Sequence, residues 1–566
     1  MNLNIKAKEK NTYDAIVVGT GISGGWAAKE LTEKGLNTLV LERGRNVEHV
    51  KDYPTMYKEP WELPYGNKLP ADELKHYKKQ NRTGYTIRQT SKHWWVKDTN
   101  QPYEEVQRFD WIRGYHVGGR SIMWGRQSYR IGDIDFEANA KEGIAVDWPI
   151  RYRDIKSWYD YVENFAGING KKEGLPQLPD GNFLPPMKLN CVEKHLKKSI
   201  AENFNGRVLT NGRSANLTKP HNGRGQCMYR DRCIRGCPYG AYFSSNASTI
   251  PAAAKTGNMT LRPHSIVNSV IYDEEKGKAI GVRIIDAQTG KMEEFYAHII
   301  FLNASTVNST LIMLNSTSDR FPNGLGNDSD QLGRNMMDHH FRVGANGVFN
   351  GFNDKYYKGR RPNGIYIARY RNIGSDNRNY LRGFGYQGAA SREGWERGVR
   401  ELSVGKELKG IIKEPGVWKM GLTGFGECLP YEDNRMWLNH DKRDKWGQPT
   451  VAFDCDFKEN EMNMREDMKN DAVDMLEKAG FTDIETFDDI GGMGLGIHEM
   501  GTARMGSDPK TSVLNKWNQV HACKNVFVTD GSCMTSAACQ NPSLTYMALT
   551  ARAADYAAKE LNKGNL

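Results

Sequence analysis

The sequence predicts an α/β fold, a parallel doubly wound region joined to a second, mixed α+β and mostly antiparallel region. Three observations predict it. A β-branched run near the start breaks into a glycine-rich turn and resumes as a helix. The middle of the chain carries short alternating stretches among aromatic, Gly and Asn residues. The end is an alanine-rich helical segment.

Composition narrows the classes. The chain has 566 residues, 38% hydrophobic and 26% charged, which is ordinary for a folded globular protein. Lys+Arg exceed Asp+Glu, 78 against 68. The basic residues are scattered, which points to solubility or an acidic partner and not to nucleic acid. No run of eighteen apolar residues is present, so no membrane span is expected. The start, "MNLNIKAKEKNTYDAIVVG", lacks an apolar export core and a twin arginine, so a cytoplasmic location is the default expectation. Nine cysteines cannot all pair with one another, which favours reduced thiols or metal ligands.

The first element, residues 13–18 (YDAIVV), reads as a buried parallel strand. "GTGISG" follows with G-x-G-x-x-G spacing. Gly19 makes the tight turn, Gly21 lets backbone approach a pyrophosphate, Gly24 lets helix pack on strand, and Ser23 lies in the same turn. Residues 23–34 read as the helix, stopped by Gly35. Residues 37–41 read as the second strand, ending on Glu42 and Arg43, with a right-handed crossover. An acid at Glu42 can accept hydrogen bonds from an adenosine ribose. Strand, turn, helix, strand and acid together specify a dinucleotide, without separating NAD from FAD.

"RGYHVGGRSIMWGRQSYRIGDIDF" (113–136) places Gly118, Gly119 and Ser121 where backbone can approach a phosphate or ring closely. Near the other end lie "HEMGTARMG" (498–506), "VFVTDGS" (526–532) and "QNPSLTYMALTARAADY" (540–556). With "DWPIRYRDIKSWYDYVENFAGING" (147–170) and "GRNMMDHH" (333–340), these segments resemble, in order and spacing, the glucose–methanol–choline (GMC) family of flavin oxidoreductases. The resemblance spans nearly the whole chain.

That resemblance implies a GMC fold, a Rossmann-like FAD-binding domain with a mixed α+β substrate domain. The FAD-binding parts would be 1–150, 226–330 (with a cysteine loop) and 496–566; the substrate parts would be 151–225 and 331–495. It assigns Asp530 and Gly531 to the phosphate–ribitol region and the Val267 backbone, in "HSIV", to adenine. The flavin ring would meet an amide just after Asn541. Pro542 has no N–H, so Ser543 or Leu544 would donate. In the pyranose oxidase branch a histidine in the segment like 118–124 binds flavin covalently. Met123 stands there, and a thioether makes no such link, so non-covalent FAD is expected.

Alcohol oxidation needs a base for the hydroxyl proton and a second polar group to aim the C–H at the flavin. The resemblance places these on His498 and Asn541, a pair that leans toward the pyranose-oxidising branch. Most other histidines read as structural. So does the adjacent pair His339–His340, because neighbouring side chains rarely face one site. "HEMGT" is no zinc-protease motif, having Thr502 where the second histidine belongs, and a serine-hydrolase elbow is missing.

"CMYRDRCIRGCPYGA" (227–241) spaces Cys227, Cys233 and Cys237 as C-x5-C-x3-C, with Pro238 closing the run. Such spacing suits an iron–sulfur loop, and Arg230, Arg232 and Arg235 would offset a thiolate-bound cluster's charge. A zinc site recruiting His221, a disulfide, or three free thiols are the rival readings. The same spacing in flavin subunits of bacterial sugar dehydrogenases implies a 3Fe-4S cluster. It also implies a small subunit and a cytochrome as partners, with periplasmic co-export open. The expected function is dehydrogenation of a secondary hydroxyl of a sugar or glycoside, a glycoside 3-dehydrogenase being preferred. The alternatives are a peroxide-forming oxidase with structural cysteines, and a flavin electron-transfer subunit with no substrate of its own. Trp94 and Trp95 read as core before sugar stackers.

Overall fold

The computed structural model describes residues 11–356, 362–394 and 404–566. Strand Thr12–Val18 lies at the centre of a parallel spine, between Thr38–Leu41 and Met292–Leu302. Met259–Arg262 extends one side and Cys523–Val528 the other, both parallel. Strands Ser265–Asp273 and Lys278–Asp286 form an antiparallel meander onto the beginning of Met292–Leu302. The spine residues Val17, Val40, Ile300 and Phe527 are buried, as a sheet covered by helices demands.

Helix Ile22–Glu33 starts one residue before the sequence expectation. It packs beside the C-terminal helix Ser543–Asn562. Their contact is built from Ala27, Ala28 and Leu31 against Ala553, Ala554, Ala557 and Ala558. Small side chains let the two helices approach closely, which accounts for the alanine-rich end of the sequence.

A second sheet is antiparallel, in the order Thr482–Asp488, Val343–Phe349, Trp418–Glu427, Phe384–Arg392, Ile365–Ile367, Leu209–Asn211. Trp418–Glu427 alternates buried and partly exposed residues, the period of a strand with one covered face. Helix Glu459–Lys478 covers that face with Met464, Met468, Ala472, Met475 and Leu476. A three-stranded sheet of Arg435–Arg443, Pro449–Asp454 and Glu104–Glu105 completes the architecture. The alternating stretches at 364–370 and 448–457 become Ile365–Ile367 and Pro449–Asp454. Among the described residues, no helix is long and apolar enough to cross a membrane.

The carboxyl ends of the spine strands and the inner face of the antiparallel sheet open onto one cavity. Val18, Leu41 and Asn303 line it from one side, Gln387 and Phe425 from the other. A crevice beyond the carboxyl ends of parallel strands is where α/β sheets bind ligands.

Candidate functional site

The cavity measures about 800 Å³. Its narrow, anion-seeking part is built by two glycine turns. At Gly19, φ is +97° and a Cβ would come within 2.4 Å of the Asn303 carbonyl oxygen. A Cβ on Gly24 would lie 2.1 Å from the Gly19 oxygen, so the helix start is pressed onto the strand end. Gly21 differs: a Cβ there would meet no protein atom within 4 Å. Protein packing does not require that glycine, and the room beside it opens into the cavity.

The second turn locks onto the first. Gly118 has φ +89°, and a Cβ there would sit 1.6 Å from Asn246 Oδ1. The Gly118 amide donates to Thr20 Oγ1 at 2.9 Å. Ser121 Oγ donates to the Gly118 carbonyl, and Ser245 Oγ to that of Gly21. Two helix N-termini, those of Ile22–Glu33 and Thr306–Asn315, open on this region, where Ser305 is held at φ +73°. Unpaired amides and positive dipole ends suit a pyrophosphate.

Of the residues expected to hold the dinucleotide, Gly19, Gly21, Ser23, Glu42, Arg43, Gly119, Ser121, Val267, Asp530, Gly531, Asn541 and Ser543 line the cavity. Gly24 and Gly118 stand behind its wall, as their packing requires. Glu42 is 6% exposed; it accepts from Thr20 Oγ1 and from the Gly44 amide at 2.9 Å, and burial raises its pKa. Arg43 is sandwiched by the rings of Tyr115 and Trp446 and pairs with Asp444 at 3.1 Å. Asp530 accepts from Ser309 Oγ at 2.5 Å and from Ser532, and burial raises its pKa too. Ser543 opens its helix behind Pro542 and lines the cavity, whereas Leu544 is buried in the core. Of the two amides expected for the flavin ring, the structure sets Ser543 at the wall. Met123 lines the cavity as well and offers no nucleophile.

His498 and Asn541 converge at the wide end. His498 Nε2 lies 3.4 Å from Asn541 Nδ2, and both side chains face the cavity. His498 Nδ1 is 2.9 Å from His339 Nδ1, and His339 Nε2 is 2.8 Å from the Ala538 carbonyl oxygen. Asp338 holds the loop by accepting the Gly496 and His498 amides at 2.9 and 3.0 Å. Burial, then His339 and Arg120, holds the His498 pKa well below the usual histidine value. Burial lowers His339 to about 4 and, with Glu499, lifts Asp338 to about 7. Beside them Arg120 clasps Glu499 with two bonds of 3.0 and 2.9 Å. Ligand atoms of Asp338, His339 and His498 come within 4.8 Å of one another. Each residue is already engaged by the hydrogen bonds above, His498 and His339 with each other and Asp338 with two loop amides. His340 points the other way, onto Phe457, as alternate strand residues do.

The cysteine loop reaches the same cavity: Asp231, Cys233 and Ile234 form part of its wall. Trp94 is core, as expected, and its Nε1 donates to the Ile234 carbonyl at 2.9 Å. Cys227, Cys233 and Cys237 are unpaired and partly buried, so the disulfide reading fails. Burial, then the neighbouring Cys233 and Cys237, pushes the Cys227 thiol up to about 11. The backbone N–H groups of Tyr229, and of Tyr239 and Ala241, favour the thiolates of Cys227 and Cys237 and partly offset that burial. Tyr229 and Asp231 take positive φ, winding the loop around the three thiols.

A tetrahedral zinc with sulfur at about 2.3 Å would draw its ligands to about 4 Å from one another. Among the described residues, only the Asp338 group brings three possible ligand atoms within 4.8 Å. His221, the suggested fourth ligand, instead bonds the Asn164 carbonyl at 2.6 Å. Arg230, Arg232 and Arg235 bond Met56 O, Glu59 Oε2 and Lys58 O, pinning the loop to residues 56–59. Arg230 favours the Cys237 thiolate.

Several residues of this site were not singled out by sequence. Arg120 and Glu499 lie in quoted segments but meet only in the fold, and Asn246 meets Gly118 only there. Gln387 comes from the middle of strand Phe384–Arg392. Thr20, inside the glycine motif, and Asp338, inside "GRNMMDHH", lay within segments already singled out.

The family model described as GMC oxidoreductase matches residues 13–341 and 430–550 in its N- and C-terminal parts. The chain is 28% identical to 2-methyl-1,2-propanediol dehydrogenase of Mycolicibacterium austroafricanum, over 97% of this chain and 96% of that protein. It is 25% identical to the fructose dehydrogenase large subunit of Gluconobacter japonicus, over 99% and 100%. Formate oxidase of Aspergillus oryzae RIB40 shares the fold, with TM-score 0.61 at 14% identity over 98% of this chain and 99% of that one.

Proposed function

Because the chain belongs to the GMC oxidoreductase family, an FAD-dependent oxidoreductase of CH–OH groups, we propose that it is a dehydrogenase of a secondary hydroxyl on a sugar or glycoside, with a 3-keto product. Its electrons would leave through an iron–sulfur cluster, of 3Fe-4S type, to an external acceptor. The carrying observation is that the His498–Asn541 pair and Cys233 line one continuous cavity.

FAD would be held by the glycine turns, Glu42, Asp530 and the Ser543 amide, and would supply the hydride acceptor. The chain's own residues do the rest. His498 Nε2 takes the hydroxyl proton, and its low pKa keeps it free to do so. Asn541 Nδ2–H donates to the same oxygen and fixes the carbon's direction. Arg88, Arg126 and Asn363 give the cavity polar groups for a polyol. Phe341 and Phe425 line it too and exclude water.

For the cluster, the support is three partly buried free thiols at C-x5-C-x3-C spacing, with Cys233 on the cavity wall. Bound there, it would supply a one-electron step between flavin and acceptor. The acceptor side is supported by exposed Tyr57, Trp61, Met228 and Tyr229, which lie on the cysteine loop and on the 56–65 segment pinned to it. We assign this surface to a cytochrome-type partner, with a small subunit completing the complex and providing export to the periplasm. The relatives' names, dehydrogenases of a diol and of fructose, support the substrate class.

Electron paramagnetic resonance with iron and zinc analysis of the oxidised protein tests the relay: a three-iron signal is expected, and silence with zinc or no metal would sink it. Peroxide yield against dye reduction decides between dehydrogenase and oxidase. An electron-transfer subunit without its own substrate would show no anaerobic flavin bleaching with any sugar.

A further inference from the structure

We propose that the reacting oxygen is held by a hydrogen-bond relay of fixed direction, in which Gln387, Gln127 and His339 are positioning residues for Asn541 and His498. The inference rests on the reading of His498 as the base.

The histidine end of the relay is anchored on a backbone group whose polarity cannot change. At one end the Ala538 carbonyl can only accept. His339 therefore carries its proton on Nε2, 2.8 Å away, and its Nδ1 is a lone pair. His498 Nδ1, at 2.9 Å, must then be the donor. A neutral imidazole has one N–H, so His498 Nε2 is left as a lone pair facing the cavity. From the other side the Tyr129 hydroxyl donates to Gln127 Oε1 at 2.6 Å. Gln127 Nε2 donates to Gln387 Oε1 at 2.8 Å, and Gln387 Nε2 donates to Asn541 Oδ1 at 2.7 Å. With its oxygen occupied, Asn541 presents only N–H to the cavity.

The consequence is chemical. An alcohol oxygen between these two groups loses its proton to His498 Nε2 and receives a hydrogen bond from Asn541, the arrangement that stabilises developing negative charge on oxygen. Reversing either arm presents two lone pairs, or two donors, to that oxygen. The relay draws on the loop after Trp124, the antiparallel sheet and the loop before helix Ser543–Asn562. The polarity of the site is therefore decided by side chains outside the catalytic motifs.

The decisive variant is Gln387→Glu, measured as anaerobic flavin bleaching by the best sugar substrate across pH. An ionised carboxylate can only accept, so Asn541 must turn its amide to it and offer oxygen to the cavity. The bleaching rate should fall about 100-fold at neutral pH, in the range of misplaced catalytic support. It should recover relative to the unmodified protein as pH falls, because a protonated carboxyl restores one donor and one acceptor. A spacer role predicts no such pH-dependent recovery.

His339→Gln, which keeps one donor and one acceptor, should retain most activity, and His339→Leu should not. Equal rates for those two variants, or a pH-independent ratio for Gln387→Glu, overturn the relay. If the variants lose FAD, neutron diffraction of the native protein decides the matter: deuterium on His498 Nδ1 supports the relay and on Nε2 overturns it. Full bleaching in His498→Ala would instead remove the underlying reading of the base.

Discussion

The two ends of the cavity are built on opposite principles. At the His498–Asn541 end, polar atoms are buried and matched one donor to one acceptor back to the backbone. At the Cys227–Cys237 end, three thiols sit half-buried on a loop with Met228 and Tyr229 exposed, pinned by arginines to a segment where Tyr57 is 61% and Trp61 81% exposed. Under the proposed function, the contrast matches what each end would move. A proton and a hydride must be aligned to fractions of an ångström in a dry site. A single electron tolerates looser geometry and needs a surface where another molecule can approach.

Removing the base should break the comparison most severely at the buried end. His498→Ala is expected to slow anaerobic flavin bleaching about 1,000-fold while FAD content, read from absorbance, stays constant. Cys237→Ser attacks the other end alone. It should remove the cluster signal and lower turnover with a protein acceptor about 100-fold, while anaerobic bleaching stays within about two-fold. A parallel fall in bleaching would mean that the two ends are one unit.

A smaller effect concerns pH. Burial holds His498 well below the ordinary histidine value, so its neutral form persists where a free imidazole is already protonated. The bleaching rate should stay flat from pH 8 down to about pH 6, below the unperturbed value of about 6.5, and fall only at more acid pH. A midpoint at 6.5 would show a solvated base. The smallest effect should come from the surface: Trp61→Ala is expected to raise KM for a protein acceptor about three-fold and to leave dye reduction unchanged.

Much of the dinucleotide end was legible because its demands are local. A G-x-G-x-x-G turn needs residues spaced by one strand–turn–helix unit, and Gly19, Gly24 and Glu42 lie within that span. His498 and Asn541 were legible for a different reason, sitting in recognisable segments. The remainder was not local. Gln387 sits in a strand whose alternation reports burial and says nothing about which partner it meets. His339 read as structural beside His340, since sequence shows two adjacent histidines and only the strand sends one to His498 and the other to Phe457. The arginines of the cysteine loop were legible as charge, and only the fold shows that they also pin the loop to residues 56–59.

The sequence by itself determined the family, the glycine turn, the His498 and Asn541 segments and the spacing of the three cysteines, because each is written in short segments with strict local geometry. The tertiary structure alone decided that Cys233 shares one cavity with His498 and Asn541, and which side chains surround that pair. Both depend on contacts between residues hundreds of positions apart, such as Gln387 with Asn541 at 2.7 Å and Trp94 with Ile234 at 2.9 Å. Such pairings follow from how the two sheets and the loops between them pack, and no local pattern encodes them.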